Sequence, residues 1–190
     1  MLLIGAAIVV LGIVIAVIAL TRGDGGSTDV ATAMRDAGCT LKTAKASSRK
    51  HVSSLDAKVK YNTDPPSNGS HYIQAAVWDF YTTAADPIQV VHNEEHGGVV
   101  LWWGDKVPPA TVDELRTFYN ESPNGMVGTP YASLGSKVAI TGWTAPSGGM
   151  GEGHAAVCPT FDEDAFAAFR DAYRGKGPER YPLDAEKPGT

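Results

Sequence analysis

The fold is decided in residues 88–103, which read IQVVHNEEHGGVVLWW. Two compact apolar runs, Ile88–Val91 and Val99–Trp103, have the length and the β-branched or aromatic content of buried strands. Between them stand His92 and His96, four residues apart, followed by two glycines that permit a sharp turn. This stretch therefore predicts two central strands separated by a turn that carries histidines.

The rest of the chain supplies further strands and two helices. Strands are predicted at Lys58–Tyr61, His71–Tyr81 and Lys137–Trp143, where aromatic and β-branched residues are frequent. Capping-box patterns beginning at Thr111 and Thr160 each predict a helix start. Apolar residues follow both patterns at helical spacing: Leu115, Phe118 and Tyr119 after the first, Phe166, Phe169 and Tyr173 after the second. Without strict β-α-β alternation, these elements predict an α+β fold with an antiparallel or mixed sheet and two amphipathic helices.

The amino-terminal segment has the character of a membrane anchor. The first 21 residues carry no charged side chain, and Leu2–Leu20 is almost wholly apolar. A helix of about 20 residues crosses a hydrocarbon core of roughly 30 Å. No basic residue precedes the run and no small-x-small exit follows it, which favours a retained anchor over a cleaved signal peptide. The predicted organisation is a transmembrane anchor over 1–21, a flexible tether over 22–32, one extracytoplasmic domain over 33–181 and a loose tail over 182–190.

Cysteines and charge restrict the compartment and the partners. The chain has two cysteines, Cys39 and Cys158, and no CxxC motif. On an anchored domain this favours a disulfide in an oxidising compartment over two unrelated buried thiols. The net charge of -5, with no basic patch, argues against nucleic acid as a partner. The expected partners are the lipid bilayer, through residues 2–20, and other subunits of a membrane complex.

Histidines form the candidate functional site. His71 ends a turn rich in proline and glycine, and with His92 and His96 it forms a possible three-nitrogen metal site. Four residues span about 13 Å on a strand, whereas on a helical turn their Cβ atoms lie roughly 6 Å apart. A metal site therefore requires residues 92–96 to form a helical turn or a tight loop. Further candidate ligands are His154, Met126 and Met150, and Glu94 or Glu95 could orient an imidazole through its other N–H. This set suits copper, with zinc as the alternative.

Two other interpretations of the histidines stay open. They could hydrogen-bond to loop carbonyls and carboxylates and simply hold turns together. Residues 92–96 also match H-x-x-E-H, a zinc-protease pattern that normally lies on a long helix, whereas the flanks here are predicted to be strands. The functions considered are a metal-binding accessory subunit or chaperone of a membrane complex, a structural subunit without metal, and a zinc hydrolase. The sequence favours a protein that is not an enzyme.

Several motifs together resemble a known family. They are His51-Val52, the segments at 59–61 and 65–71, the segment VHNEEHGGVV at 91–100, ITGW at 140–143 and FRDAYR at 169–174. On these the chain resembles the bacterial family called domain of unknown function 3105, over most of residues 38–181. The resemblance implies a mostly actinobacterial protein with an N-terminal membrane helix and an extracytoplasmic domain, and it supplies no activity. Ser67-Asn68 and Glu94 depart from the family pattern, which has Thr-Ser and a leucine at these places.

Overall fold

The computed structural model describes residues 29–190, which form a mixed five-stranded sheet with helices on both faces. A separate two-stranded pair lies beside it. The strands are β1 (Thr40–Lys45), β2 (His51–Val52), β3 (His71–Tyr72), β4 (Val99–Trp103), β5 (Met126–Pro130), β6 (Val138–Thr144) and β7 (Glu152–Cys158). The α-helices are α1 (Val30–Asp36), α2 (Pro87–Glu95), α3 (Pro109–Glu121) and α4 (Glu163–Tyr173), and short 3-10 turns cover Ala132–Leu134 and Leu183–Ala185. The α+β fold and the mixed sheet are confirmed, with four α-helices in the described part rather than two.

The large sheet has the strand order β1-β7-β6-β4-β5. All neighbours are antiparallel except β4 and β5, which are parallel and are joined by the crossover helix α3. The small sheet pairs β2 with β3 in parallel and sets His51 opposite His71. This short pairing brings together two segments that are distant in sequence.

Both faces of the central strands are buried, which explains why β4 is apolar without alternation. Val99, Leu101 and Trp103 belong to the core shared with α1, α3 and α4. Val100 and Trp102 face the opposite side, where α2, Ala76 and Trp78 pack. Because successive strand residues point to opposite faces, one run of five apolar residues serves two cores.

The strand predicted at Ile88–Val91 is wrong, because this segment is the first half of α2. A run of four apolar residues suits a buried strand and a buried helix equally. The preceding residues favour the helix. The Asp86 side chain accepts a hydrogen bond from the Ile88 amide as the N-cap, and Pro87 occupies the first turn. Residues 92–96 are therefore helical, as a metal site would require.

The other predicted elements have mixed outcomes. The strands at Val99–Trp103 and in the 137–143 region are confirmed. Lys58–Tyr61 is not a strand, and of His71–Tyr81 only the first two residues are. Of the remaining residues, Asp79–Tyr81 run beside β5 and make an isolated bridge between Phe80 and Gly128, whereas the Ala76 amide donates to Oδ1 of Asn93 and the Trp78 amide to the Thr190 carbonyl.

The two predicted helices exist but begin at other residues. The first starts at Pro109 after Pro108, so Thr111 lies inside it, and the second is capped by Asp162, whose side chain accepts from the Ala165 amide. Their predicted apolar faces are confirmed, since Leu115, Phe118, Tyr119, Phe166 and Phe169 are buried.

The predicted disulfide between Cys39 and Cys158 is confirmed. It joins the residue before the edge strand β1 to the last residue of β7, the only strand with which β1 pairs in the described sheet. The bridge therefore fastens the amino-terminal end of the domain to its sheet.

The predicted anchor, Leu2–Leu20, lies outside the described residues. Across residues 29–190, no helix combines the length and the apolar character needed to cross a bilayer. The predicted tail makes backbone hydrogen bonds to the domain: the Gly125 amide donates to the Glu186 carbonyl, and the Trp78 amide donates to the Thr190 carbonyl.

Candidate metal centre

Three chain segments meet on the α2 side of the sheet and form a cluster of histidines. The β2–β3 pair places His51 beside His71, and α2 presents His92 and Glu95 one helical turn apart. Gly69, with φ of 123°, gives the turn before His71 a backbone conformation that other residues rarely adopt. The cluster thus depends on the small parallel sheet as much as on the helix.

The four side chains place their donor atoms within 4.8 Å of one another. His71 and Glu95 are buried, His92 is nearly so, and 40% of the His51 side chain is exposed, so the cluster opens to solvent at His51. Four ligands arranged tetrahedrally around a zinc ion at 2.0–2.1 Å lie about 3.3 Å apart. A small inward movement of the side chains would bring the four donors to that spacing.

Backbone carbonyls hold two of the imidazoles. Nδ1 of His71 donates to the Gly69 carbonyl at 2.8 Å, and Nδ1 of His92 donates to the Tyr72 carbonyl at 2.8 Å. A carbonyl can only accept, so each Nδ1 carries the proton and the ring's Nε2 is left to face a ligand. Burial lowers the pKa of His92 by more than its hydrogen bond to Tyr72 raises it. His92 therefore presents a neutral ring with an available lone pair at neutral pH.

Glu95 divides its two carboxylate oxygens between a cation and the histidines. Oε1 accepts from Nε of Arg49 at 2.6 Å, whereas Oε2 lies 2.9 Å from Nε2 of His71 and 3.6 Å from Nε2 of His51. Burial raises the pKa of the Glu95 carboxyl, but the contacts with His71 and Arg49 outweigh it and hold this pKa at about 2. The carboxylate is therefore ionised.

The contact between His71 and Glu95 is unusual. Although Nε2 and Oε2 are 2.9 Å apart, they lack the angles of a hydrogen bond, and neither atom has another hydrogen-bond partner. Nδ1 of His71 already carries a proton, so Nε2 holds either a second proton or a lone pair directed at an anionic oxygen. A second proton on the ring makes the contact a buried ion pair, whereas a lone pair there repels the carboxylate oxygen unless a cation lies between or beside the two atoms. The position suits a metal ion.

His96, a predicted ligand, lies outside this group of four. Its ring packs against His92 on one side, at 4.7 Å between centroids, and against Tyr181 on the other, at 4.3 Å. Its Nε2 is 3.7 Å from Oε2 of Glu179. Burial, followed by the neighbouring histidines, lowers the pKa of His96 to about 4, so this ring is also neutral near pH 7.

The weaker candidate ligands occupy other places. His154 stacks on Tyr173, and its two ring nitrogens bond to the hydroxyls of Thr43 and Thr144, which satisfies it as a structural side chain. Met126 packs in the core on the opposite face of the sheet. Met150 is exposed in the turn before β7. None of these three side chains therefore supplies a metal-ligand atom to the histidine cluster.

Glu94, predicted to orient an imidazole, turns instead into the interior. It is fully buried; the Thr141 hydroxyl donates to its Oε1, and Trp102 Nε1 donates to that hydroxyl at 2.7 Å. Burial raises the pKa of Glu94 well above its usual range. Burial therefore favours the protonated form of Glu94, and of the two glutamates only Glu95 contacts the histidines.

Sequence reasoning missed His51 and Arg49 as members of the site. His51 was part of a family-like motif, but nothing in the sequence shows that a two-residue strand will pair it with His71. The H-x-x-E-H residues also have different roles from those in the protease pattern. Here Glu95 belongs to the donor group, and His96 lies outside it. In the protease pattern both histidines bind the metal and the glutamate is left free as a base.

Comparison with protein families identifies the chain. No match was found among the curated proteins or among the solved structures. One family model matches residues 51–185, a segment that begins at His51 and includes every member of the cluster except Arg49 at its edge. The chain belongs to the family described as "Protein of unknown function (DUF3105)".

Proposed function

We propose that this domain binds a divalent transition-metal ion between His51, His71, His92 and Glu95. The observation that carries the proposal is the unpartnered pair formed by Nε2 of His71 and Oε2 of Glu95. Carbonyls fix the other ring nitrogens of His71 and His92, an arrangement that orients imidazoles in metal sites. Arg49 on Oε1 leaves Oε2 as the oxygen that would bind the ion.

The donor types narrow the choice of ion. Three imidazole nitrogens and one carboxylate oxygen suit zinc or copper(II). Copper(I) prefers thiolate and thioether ligands, and both cysteines are tied in the disulfide while Met126 lies in the opposite core. The sequence favoured copper, with zinc as the alternative. The donor set is compatible with zinc and with copper(II), but not with copper(I).

Metal titration of site variants tests the proposal. Protein stripped with a chelator is titrated with Zn²⁺ and, separately, Cu²⁺ by calorimetry. His51→Ala is the most informative variant because His51 is half-exposed and makes no core contact, so its loss should spare the fold. Loss of a group that only hydrogen-bonds to a metal ligand typically lowers metal affinity by about 10–100-fold. We therefore expect loss of a ligand itself to weaken binding by at least about 100-fold.

A histidine outside the cluster provides the matched control. His154→Gln removes an imidazole whose two nitrogens bond to threonine hydroxyls, and it should leave metal affinity unchanged. Equal affinity in the unaltered protein, His51→Ala and His92→Ala would refute the site. A single tight site lost in both variants but kept in His154→Gln would support it.

We further propose that the domain works outside the cytoplasm as an anchored accessory subunit or chaperone of a membrane complex. The disulfide supports an oxidising compartment, and the apolar run Leu2–Leu20 supports an anchor. Intact cells of the native host, treated with a membrane-impermeant protease before and after lysis, would test the location. Digestion in intact cells supports it, and protection until lysis would refute it.

A structural subunit without metal is the second candidate. It is favoured by Arg49, which already gives Glu95 a positive partner, so the cluster can be charge-balanced as an ion-pair network. Arg49 also forms an ion pair with Glu179, which connects the segment just before β2 to the C-terminal segment. Under this candidate, metal titration shows no tight site, while Arg49→Met lowers the midpoint of thermal unfolding.

A further inference from the structure

A second histidine–glutamate pair lies immediately outside the proposed centre. Arg49 donates from Nε to Glu95 and from Nη2 to Glu179, so one guanidinium joins two carboxylates. The remaining oxygen of each carboxylate faces an imidazole: Glu95 faces His71 at 2.9 Å, and Glu179 faces His96 at 3.7 Å. The outer pair, His96 and Glu179, thus repeats the arrangement of the inner one.

The outer pair can be reached from solvent. The His96 side chain is 18% exposed and that of Glu179 is 37% exposed. An open groove of about 470 Å³ runs along Trp78 and Tyr181 and reaches His96. Among residues 29–190, the His96 ring has no hydrogen-bond partner. A cation in the groove would therefore meet the His96 imidazole, and Oε2 of the part-exposed Glu179 lies 3.7 Å from Nε2 of that ring.

The outer pair also adjoins the inner centre. The His96 and His92 rings lie 4.7 Å apart between centroids, on consecutive turns of the same helix end. The outer pair would give an ion two protein ligands, whereas the inner centre would give it four. The inner centre should therefore bind the ion more tightly, which favours movement of the ion inward. The C-terminal segment keeps this geometry, since the Glu179 amide donates to the Glu95 carbonyl and the Gly175 amide to the Gly97 carbonyl.

Resting on the proposed function, we infer that His96 and Glu179 form a transient outer metal site through which the ion enters and leaves the inner centre. In the transfer, a metal bond to Nε2 of an inner histidine forms as the bond to His96 breaks, and the ion's waters return to solvent. No proton or electron changes place. A residue on this path affects how fast the ion binds, but it does not affect how tightly the inner centre holds it.

Rapid-mixing kinetics with Zn²⁺ alone separate these roles. The full chain is compared with His96→Phe, which keeps an aromatic ring between His92 and Tyr181, and with Glu179→Gln, which keeps an oxygen for Arg49. Focused charge changes association rates by a factor of ten or more. We expect both variants to bind Zn²⁺ about tenfold more slowly and to release it to a chelator about tenfold more slowly, with Kd unchanged.

A matched charge control and two opposing outcomes complete the test. Glu121→Gln removes one exposed carboxylate at the end of α3 and should change neither rate. Unchanged rates in His96→Phe and Glu179→Gln would overturn the inference and point to entry at the half-exposed His51. A large rise in Kd for His96→Phe would also overturn it, by making His96 a ligand of the inner centre. Absence of Zn²⁺ binding in the unaltered protein would refute the inner centre itself. The unaltered protein is measured first, so this result is distinguished from a failure of the outer site alone.

Discussion

Reduction of the Cys39–Cys158 bridge should destabilise the domain strongly. The two cysteines are separated by 119 residues in sequence, and the chain-entropy relation for a loop of this length gives about 5 kcal/mol at 25 °C. A domain of this size loses about 2–4 °C in unfolding midpoint per kcal/mol, so the expected shift is about 10–20 °C. The bond fastens β1, an edge strand that pairs only with β7 in the described sheet, so unfolding of the reduced protein should begin there.

Circular dichroism during heating, with and without a phosphine reductant, measures this effect. The Cys39→Ser/Cys158→Ser variant should melt with the reduced protein, and the reductant should not move its midpoint further. If oxidised and reduced protein melt within about 2 °C of each other, the bridge contributes less than about 1 kcal/mol and the entropy argument is refuted. Free thiols in protein taken directly from the native host would contradict the proposed oxidising compartment.

Three further predictions concern buried polar groups and a helix cap. Asp86→Ala should lower the free energy of unfolding by about 1 kcal/mol, because the cap of the metal-site helix is lost; denaturant titration measures it, and an unchanged midpoint would contradict it. Thr141→Val should cost about 2–4 kcal/mol, since Trp102 loses its acceptor and Glu94 its donor in the interior; stability equal to the parent would argue against this network. Burial raises the pKa of Glu186 from 4.5 to about 7, so the stability that it supports below pH 4.5 is lost as the pH rises through 7. Glu186→Gln should therefore be more stable than the parent at pH 8, by up to roughly 3 kcal/mol, and a difference independent of pH would count against the buried acid.

The site shows clearly where local sequence information stops. The two-cysteine pattern was sufficient to predict the disulfide, because it follows from simple counting, whereas the histidine spacing showed only that a metal site would require a helical turn or a tight loop at residues 92–96. The nature of α2 was missed, since four apolar residues satisfy either a strand or a helix and the deciding Asp86-Pro87 start lies just before them. Glu94 and Glu95 could not be told apart from their letters, although their helical positions differ by about 100° and lead them to different surroundings.

What the sequence by itself determined is the chemistry available: imidazoles near two turns, carboxylates beside them, a cysteine pair and continuous apolar runs for buried strands. Only the tertiary structure decided which of these groups meet. Pairing of two two-residue strands brings His51 against His71, and Arg49 then orients Glu95 toward them. Such contacts join residues 20 to 46 positions apart, and they are fixed by the packing of α2 on the sheet rather than by any local preference of the chain.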